Sequence, residues 1–283
     1  MIHFLKHTSI TLTLSGLLMV LGLISVFTYG FNYSIDFVGG ATAEFTAVAK
    51  NEQQIRNYVK KNYPSATIQK SGDNLFIKEK NITKEDAQKI ANRFNGVRLG
   101  AFEIISPSVS AENITKTVTA FAVVALCILL YVAYSFSGFR YALAAVIAMF
   151  HDTVLLLGAW SLLGRFFGAQ FDILFVTALL IIMSFSVHDT IIIFDKLKEE
   201  EKSGRYSGLE EKINAALTLT IVRSANTSIT TILVLASLVI LGGSATRWFS
   251  ISLLIGMFLG TYSSPFIAAP MYYFLTRFFK KRA

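Results

Sequence analysis

Six apolar segments dominate the sequence, and each is too long for a helix of an ordinary soluble domain. They cover roughly residues 10–29, 117–135, 139–161, 172–194, 218–241 and 248–275. About 20 consecutive apolar residues cross the hydrocarbon core of a bilayer as one helix. Charged residues make up 16% of the chain, against about 25% in soluble domains. The sequence therefore predicts an α-helical membrane protein with six transmembrane helices and excludes a soluble enzyme.

The first apolar segment has the position of a secretory signal peptide but not its length. Its run exceeds the ~7–15 apolar residues of a signal sequence. It ends in the sequence Phe27 to Phe31, which offers no small-residue cleavage site. We therefore expect residues 1–30 to be retained as the N-terminus and a first transmembrane helix.

Basic residues in the connecting segments predict the orientation. With the N-terminus in the cytoplasm, eleven Lys and Arg fall in cytoplasmic segments and two, Arg165 and Arg247, in short outer loops. The eleven are Lys6, Arg140, Lys196, Lys198, Lys202, Arg205, Lys212, Arg277, Lys280, Lys281 and Arg282. Cytoplasmic loops carry the excess of Lys and Arg. We therefore expect both termini in the cytoplasm, a charged cytoplasmic segment at 195–217 that is a surface helix pair or a loop, and an external segment at 31–116.

Composition excludes several other function classes. The single cysteine, Cys127, excludes an intrachain disulfide and a cysteine-based metal site. The sequence contains no Walker loop and no metal-ligand spacing, so neither an ATPase, nor a metal centre, nor any other enzyme is predicted. We attribute the net charge of +8 to basic segments beside the membrane, not to nucleic-acid binding.

Residues 31–116 have shorter apolar runs, more charge and a period-two alternation. Strands are predicted at 34–46 (interrupted by Gly39 and Gly40), 66–70, 75–78 and 97–105, and helices at 51–63 and 83–94. The order β-α-β-β-α-β is typical of a small α+β ferredoxin-like domain. The segment holds no histidine or cysteine, and no catalytic site is predicted in it. The remaining residues, 117–283, are predicted to form a five-helix transmembrane bundle.

Ionisable residues inside the predicted spans are the candidate functional residues, because charge at bilayer depth is costly. The third span carries Asp152 beside His151, the fourth carries Asp189 between His188 and Thr190, and the fifth carries Arg223. Asp189 and Arg223 lie at similar depth from the cytoplasmic side. Two interpretations are open for them: a protonation site coupled to movement, or a static ion pair. Asp152 either joins in ion coupling or hydrogen-bonds a neighbouring helix, and the histidines are packing partners or proton relays.

Polar residues in the last two spans add to this pattern. In the fifth, Arg223, Asn226, Thr227, Thr230 and Ser237 recur at helical spacing and form one polar face, which must meet other helices or water. In the sixth, the spacing of Gly256 and Gly260 predicts close approach of another helix. Pro265 and Pro270 predict a kink there.

Four motifs, in this order and at these spacings, resemble the SecF branch of the SecD/SecF family in the resistance-nodulation-division superfamily. They are residues 34–40, with Asp36, Gly39 and Gly40; residues 150–153; residues 186–196; and Arg223 with residues 227–231. One span, an exposed ferredoxin-like domain and five further spans extend the resemblance along nearly the whole chain.

The resemblance implies a function in protein export. A family member works with a SecD-like six-span protein beside the Sec channel of the bacterial plasma (inner) membrane. The pair uses the proton or sodium motive force to help draw secreted polypeptides outward, in contact with membrane lipid and with no cofactor other than the coupling ion. The family's ion-coupling carboxylate matches Asp189 and its basic partner matches Arg223. Many members carry Asn where this chain has His188. Because the chain starts with the SecF-like first span, we expect SecD as a separate chain.

Two other functions stay open. The first is half of a small-molecule or lipid exporter of the same superfamily, against which the small external domain argues because it leaves little room for a drug-binding cleft. The second is a non-transporting scaffold that stabilises a membrane partner. Asp189 and Arg223 discriminate between them, because a scaffold tolerates neutral replacements and an ion-coupled machine does not.

Overall fold

The computed structural model describes residues 2–48, 51–136 and 138–280, and six of its helical segments are long and apolar enough to cross a membrane. Five are single helices: α1 (Thr8–Tyr29), α5 (Pro107–Phe136), α6 (Phe139–Phe167), α7 (Ile173–Ser203) and α8 (Leu209–Leu241). The sixth is α9 (Ser244–Ser263) continued by α10 (Ala269–Lys280). The predicted six-span architecture is thus confirmed, while Lys281 and Arg282 of the basic tail lie outside the described residues.

The α+β domain between α1 and α5 has the predicted ferredoxin-like topology. Its elements are α2 (Ile35–Val38), β1 (Gly40–Thr46), α3 (Glu52–Asn62), β2 (Thr67–Ser71), β3 (Asn74–Glu79), α4 (Lys84–Arg93) and β4 (Arg98–Ile105). The strands pair antiparallel in the order β2-β3-β1-β4. Alternate residues of β1 and β3, such as Phe45 and Ile77, are buried against Ile55 and Ile90 of the two longer helices. Ser71 pairs with Asn74 across a two-residue turn formed by Gly72 and Asp73.

The predicted strand at 34–46 is wrong in its first half, which forms the short helix α2. The Ser34 side chain caps this helix by accepting a hydrogen bond from the Asp36 backbone N–H. Such a cap competes with strand pairing. Gly39, at φ 81°, then turns the chain into β1 at Gly40. The period-two alternation of a sequence gives no signal for a single capped helical turn of this kind.

The charged segment at 195–217, predicted as a helix pair or a loop, consists mostly of the ends of two long helices. Helix α7 continues to Ser203 and α8 begins at Leu209, so the connection is residues 204–208. Glu200 in this part of α7 is fully buried, 3.4 Å from Arg205 and 3.9 Å from Lys196. A span predicted from hydropathy ends at the first charged residues, whereas the α-helix itself continues past them. Likewise, residues 107–116 of the predicted external segment are the first turns of α5.

Close backbone approaches hold the bundle together. A Cβ at Gly256 would overlap Ile182, and one at Gly260 would lie 3.2 Å from the Ser186 Cα, which confirms the predicted close approach, here with α7. Pro265 lies in a π-helical segment, Ser264–Ala268, where the Ala269 N–H bonds the Ser264 carbonyl five residues back. Proline removes the usual hydrogen bond, which accounts for this irregularity.

Candidate functional site

Asp152 lies at the centre of the bundle, where α6, α7 and α9 meet. It is 1% exposed, and its Oδ2 accepts hydrogen bonds from the Ser186 and Ser263 hydroxyls, both at 2.6 Å. Its Oδ1 lies 3.0 Å from Nδ1 of His151. A buried carboxylate needs hydrogen-bond partners, and the two hydroxyl donors and the imidazole supply them. The geometry therefore supports the interpretation that Asp152 hydrogen-bonds neighbouring helices.

A second set of hydroxyls links α7 to the π-helical segment. Thr190 Oγ1 donates to the Ser186 carbonyl at 3.1 Å and lies 2.9 Å from Ser264 Oγ. The sequence marks Ser186 only as the first residue of a motif and gives no sign of Ser263 and Ser264, because single serines are common in membrane helices and carry no periodic signal. The π-helical segment follows directly after Ser263, and both Ser263 and Ser264 contact this polar cluster.

Asp189 has a different environment from Asp152. It is 4% exposed and lies on the wall of a mostly apolar cavity of about 320 Å³ between α7, α8 and α9. Within the described part of the chain, its carboxylate makes no hydrogen bond or ion pair. The other polar groups on the cavity wall are hydroxyls, among them that of Ser224, which is buried without a hydrogen-bond partner in the described residues. Phe4, from the N-terminal turn, lines the same cavity.

A carboxylate in such a cavity has a definite chemical property. An ionised carboxylate buried without donors is costly. Binding a proton or a small cation removes that cost. The geometry around Asp189 is therefore suited to taking up and releasing a positive charge.

The structure does not bring Arg223 to Asp189. Arg223 is exposed and lines a separate cleft between α5, α7 and α8, which it shares with Asp195. Thr220, one turn earlier in α8, lines both the cleft and the Asp189 cavity, so the two charged groups flank the same helix. In the described residues Arg223 makes no ion pair, so the contact assumed for a static Asp189–Arg223 pair is absent. Similar depth along two helices does not fix the rotation of each helix about its axis.

The predicted polar face of α8 is largely uncovered by the chain's other helices. Asn226, Thr227 and Thr230 are exposed, as is Arg223. The threonine hydroxyls bond the backbone of their own helix: Thr227 to the Arg223 carbonyl at 3.1 Å, and Thr230 to the Asn226 carbonyl at 3.0 Å. Within the described residues, the guanidinium of Arg223 and the amide of Asn226 have no hydrogen-bond partner. His188 is also exposed, so its side chain is not part of the Asp152 cluster.

The motif around Asp36 joins the α+β domain to α7. Asp36 Oδ2 accepts hydrogen bonds from the Ser34 hydroxyl at 3.0 Å and from the Ile173 backbone N–H at 3.4 Å, at the first residue of α7. Asp172 caps the same helix by accepting from the Phe175 N–H at 2.7 Å, and burial raises the pKa of Asp172. Negative side chains are favourable at a helix N-terminus. The helix that carries Asp189 is thus anchored at one end to this motif.

The two glycines of the motif leave little room for a side chain, and Gly40 leaves none. A Cβ on Gly40, which has φ 149°, would lie 2.6 Å from the Ile35 side chain, 2.8 Å from the Glu79 carbonyl and 2.9 Å from the Lys80 Cα. A Cβ on Gly39 would lie 3.3 Å from the Ile105 carbonyl. The motif therefore packs β1 against the chain that leaves β3 and β4.

Comparisons with known proteins agree with this architecture. Residues 85–277 match the family "Protein export membrane protein SecD/SecF, C-terminal", and residues 24–48 match the family "SecD/SecF GG Motif". The chain is 34% identical to protein translocase subunit SecF of Thermobaculum terrenum, over 90% of this chain and 88% of the relative. It is 31% identical to the SecF subunit of Pseudomonas aeruginosa, over 94% and 89% of the two chains.

A solved structure covers nearly the whole fold. The crystal structure of SecDF, described as a translocon-associated membrane protein from Thermus thermophilus, matches with a TM-score of 0.81 and 29% identity. The match covers 98% of this chain and 39% of that one. The chain therefore spans about two fifths of the length of the solved SecDF protein.

Proposed function

Because the chain belongs to the SecD/SecF family of protein-export membrane proteins, we propose that it works with a SecD-like six-span protein. The pair uses the proton or sodium motive force to assist the passage of secreted polypeptides through the Sec channel. The names of its relatives, protein translocase subunits, support a role in protein translocation, a transport function. Its six membrane-length helices make it a multi-pass membrane protein.

The ion-coupling part of the proposal rests on Asp189, whose carboxylate lies on the wall of a cavity and has no hydrogen-bond or ion-pair partner among the described residues. In the part of the chain that the structure describes, two buried aspartates lie in the same His-Asp-Thr sequence; Asp152 has hydrogen-bond partners there and Asp189 has none. A site that cycles must have two states of similar free energy, which a fully bonded carboxylate lacks. Protons or sodium ions are the coupling ions that a carboxylate among hydroxyls accepts, and no other cofactor is proposed.

The partner follows from the polar face of α8. A guanidinium and an amide exposed at bilayer depth are unfavourable against lipid. A second membrane protein that covers Arg223 and Asn226 removes this cost. The match to a SecDF relative, where this chain corresponds to 35% of the length, is consistent with a SecD portion as that partner.

Export driven by an ion gradient tests the proposed function. Vesicles that lack both proteins are reconstituted with this chain alone, or with this chain and the SecD-like protein. We expect the pair to increase export several-fold, and an ionophore to remove that increase. Full restoration by the chain alone would contradict the requirement for a partner.

Co-purification tests the surface that binds the partner. We expect the double variant Arg223→Met, Asn226→Leu to recover several-fold less SecD-like protein than the wild type, because the interface loses its two free polar groups. Thr227→Val is the matched control on the same face, since the Thr227 hydroxyl already bonds its own helix. Equal recovery with the double variant and the control would place the partner on another face.

We further propose a bacterial inner-membrane location, with both termini in the cytoplasm and the α+β domain outside, from the distribution of basic residues. Lys61→Cys, on the exposed surface of α3, should react with an impermeant thiol reagent added from outside, in a background where exposed Cys127 is replaced by serine. Ser207→Cys, in the α7–α8 connection, should react only after permeabilisation. The reverse pattern would invert the topology.

A further inference from the structure

A basic cleft lies at the end of the bundle opposite the α+β domain. It has a volume of about 780 Å³ and is formed by the α5–α6 connection, the end of α7, the start of α8 and α10. Five cationic side chains and two carboxylates line it, a net charge of +3 if all are ionised. The cations are Arg140, Lys198, Lys202, Lys212 and Arg277, and the carboxylates are Glu201 and Glu210.

Among the described residues, no ion pair joins the cations of this cleft to its two carboxylates. Glu201 accepts hydrogen bonds from the hydroxyls of Tyr141 at 2.8 Å and Tyr272 at 3.0 Å. In the described part of the chain, Arg140, Lys202 and Lys212 make no ion pair. The basic residues next to the cleft differ, because Lys196 and Arg205 lie beside the buried Glu200. The cleft is thus a place where unpaired positive charge is concentrated.

Neutral donors add to the positive charge. Thr276 is 9% exposed and lines the cleft, and its Oγ1 is buried without a hydrogen-bond partner in the described residues. Helix α8 begins at the rim, where Gly208 and Leu209 line the cleft. The Gly208 N–H bonds the Glu211 carboxylate at 3.4 Å, whereas the N–H groups of the residues that follow in the first turn have no backbone partner within the helix. Cations, a free hydroxyl and a helix N-terminus together are the donors that bind phosphate.

From this set of donors we infer that the cleft binds the phosphate headgroup of an anionic phospholipid. The cleft lies where the membrane helices end, and Tyr141, Tyr272 and Tyr273 line it, as aromatic residues do at the membrane interface. Phe139, next to Arg140, is 58% exposed and offers an apolar surface beside the cleft for an acyl chain. Basic pockets between membrane helices bind anionic headgroups.

Binding of short-chain phosphatidylglycerol to the purified full chain in neutral detergent tests this site. The triple variant Arg140→Gln, Lys202→Gln, Lys212→Gln should bind about a hundredfold more weakly, since each basic residue near an anionic headgroup contributes about fivefold. The matched control, Lys60→Gln, Lys61→Gln, Arg98→Gln, removes the same charge from exposed positions of the α+β domain and should bind like the wild type. Equal weakening of lipid binding in both variants would show that only the net charge of the protein matters, and it would overturn the proposed site.

A second variant and two other probes complete the test. Thr276→Val, which keeps the side-chain volume, should weaken binding several-fold and decides the question if the triple variant does not fold. Phosphatidylcholine should bind at least tenfold more weakly than phosphatidylglycerol, and equal binding would overturn the requirement for an anionic lipid. Glycerol phosphate that competes at the same concentration as the lipid would identify a soluble phosphate ligand and overturn the lipid assignment.

Discussion

Asp189→Asn is expected to abolish the ion-dependent increase in export while expression and association with the partner stay unchanged. Asparagine has nearly the same size and keeps the contacts of the cavity wall, but its amide cannot take up and release a proton at neutral pH. A membrane potential supplies about 2.3 kcal/mol per charge per 100 mV, which is enough to bias a conformational switch only if a charge moves. The measurement is export by the reconstituted pair, which should equal that of the wild-type pair with ionophore.

Asp152→Asn is the matched control for this prediction. The amide oxygen of asparagine can accept from Ser186 and Ser263, while its NH₂ group faces His151 Nδ1, so the hydrogen-bonded cluster is kept. We expect most of the ion-dependent export to remain in this variant. Normal ion-dependent export in Asp189→Asn would reject the coupling role of that residue.

Gly40→Ala is expected to destabilise the α+β domain by about 2–5 kcal/mol, from overpacking together with strain at a positive φ. The added Cβ meets three atoms at less than 3.0 Å, two of them on the backbone around the end of β3. A domain of this size has a small margin of stability. Hydrogen exchange of the full chain measures the effect, and the amides of β1 and β3 should exchange at least tenfold faster.

Gly96→Ala separates the two causes. Gly96 also has a positive φ, at 85°, but nothing lies within 4 Å of a Cβ built there. Gly96→Ala therefore introduces conformational strain without new close contacts, and this strain costs on the order of 1 kcal/mol. Equal exchange rates in the two variants would show that the contacts of Gly40 do not matter for the fold.

The fold could be predicted because its signals are local. Long apolar runs specify membrane helices, and alternation with a turn at Gly72 and Asp73 specifies the β2–β3 hairpin. The details that were not predicted depend on single side chains or on packing. One serine cap converts residues 35–38 into a helical turn, and buried Glu200 lies on a helix that continues past the end of the apolar run.

The sequence predicts which residues belong to the candidate site better than it predicts how they are arranged. The free-energy cost of a charged side chain at bilayer depth singles out Asp152, Asp189 and Arg223. This argument needs no knowledge of which residues they contact. The sequence does not specify which neighbour each helix face meets, so the Asp189–Arg223 contact was not distinguishable from two groups on either side of α8. The donors to Asp152 come from residues 34 and 111 positions away, and no local pattern connects them.

That separation along the chain has a consequence for biogenesis. Ser186 enters the membrane soon after Asp152, but Ser263 is synthesised 111 residues later, an interval on the order of ten seconds at about 5–20 residues per second. During this interval the aspartate has only one of its two serine donors in the membrane. The helix hairpin α6–α7 is then an unfinished core that must be shielded, beside the insertion machinery or by a proton on the carboxyl group, until α9 arrives. The sixth membrane segment is thus the one that completes the centre of the bundle, so a nascent chain arrested before residue 263 should remain a substrate for membrane quality control.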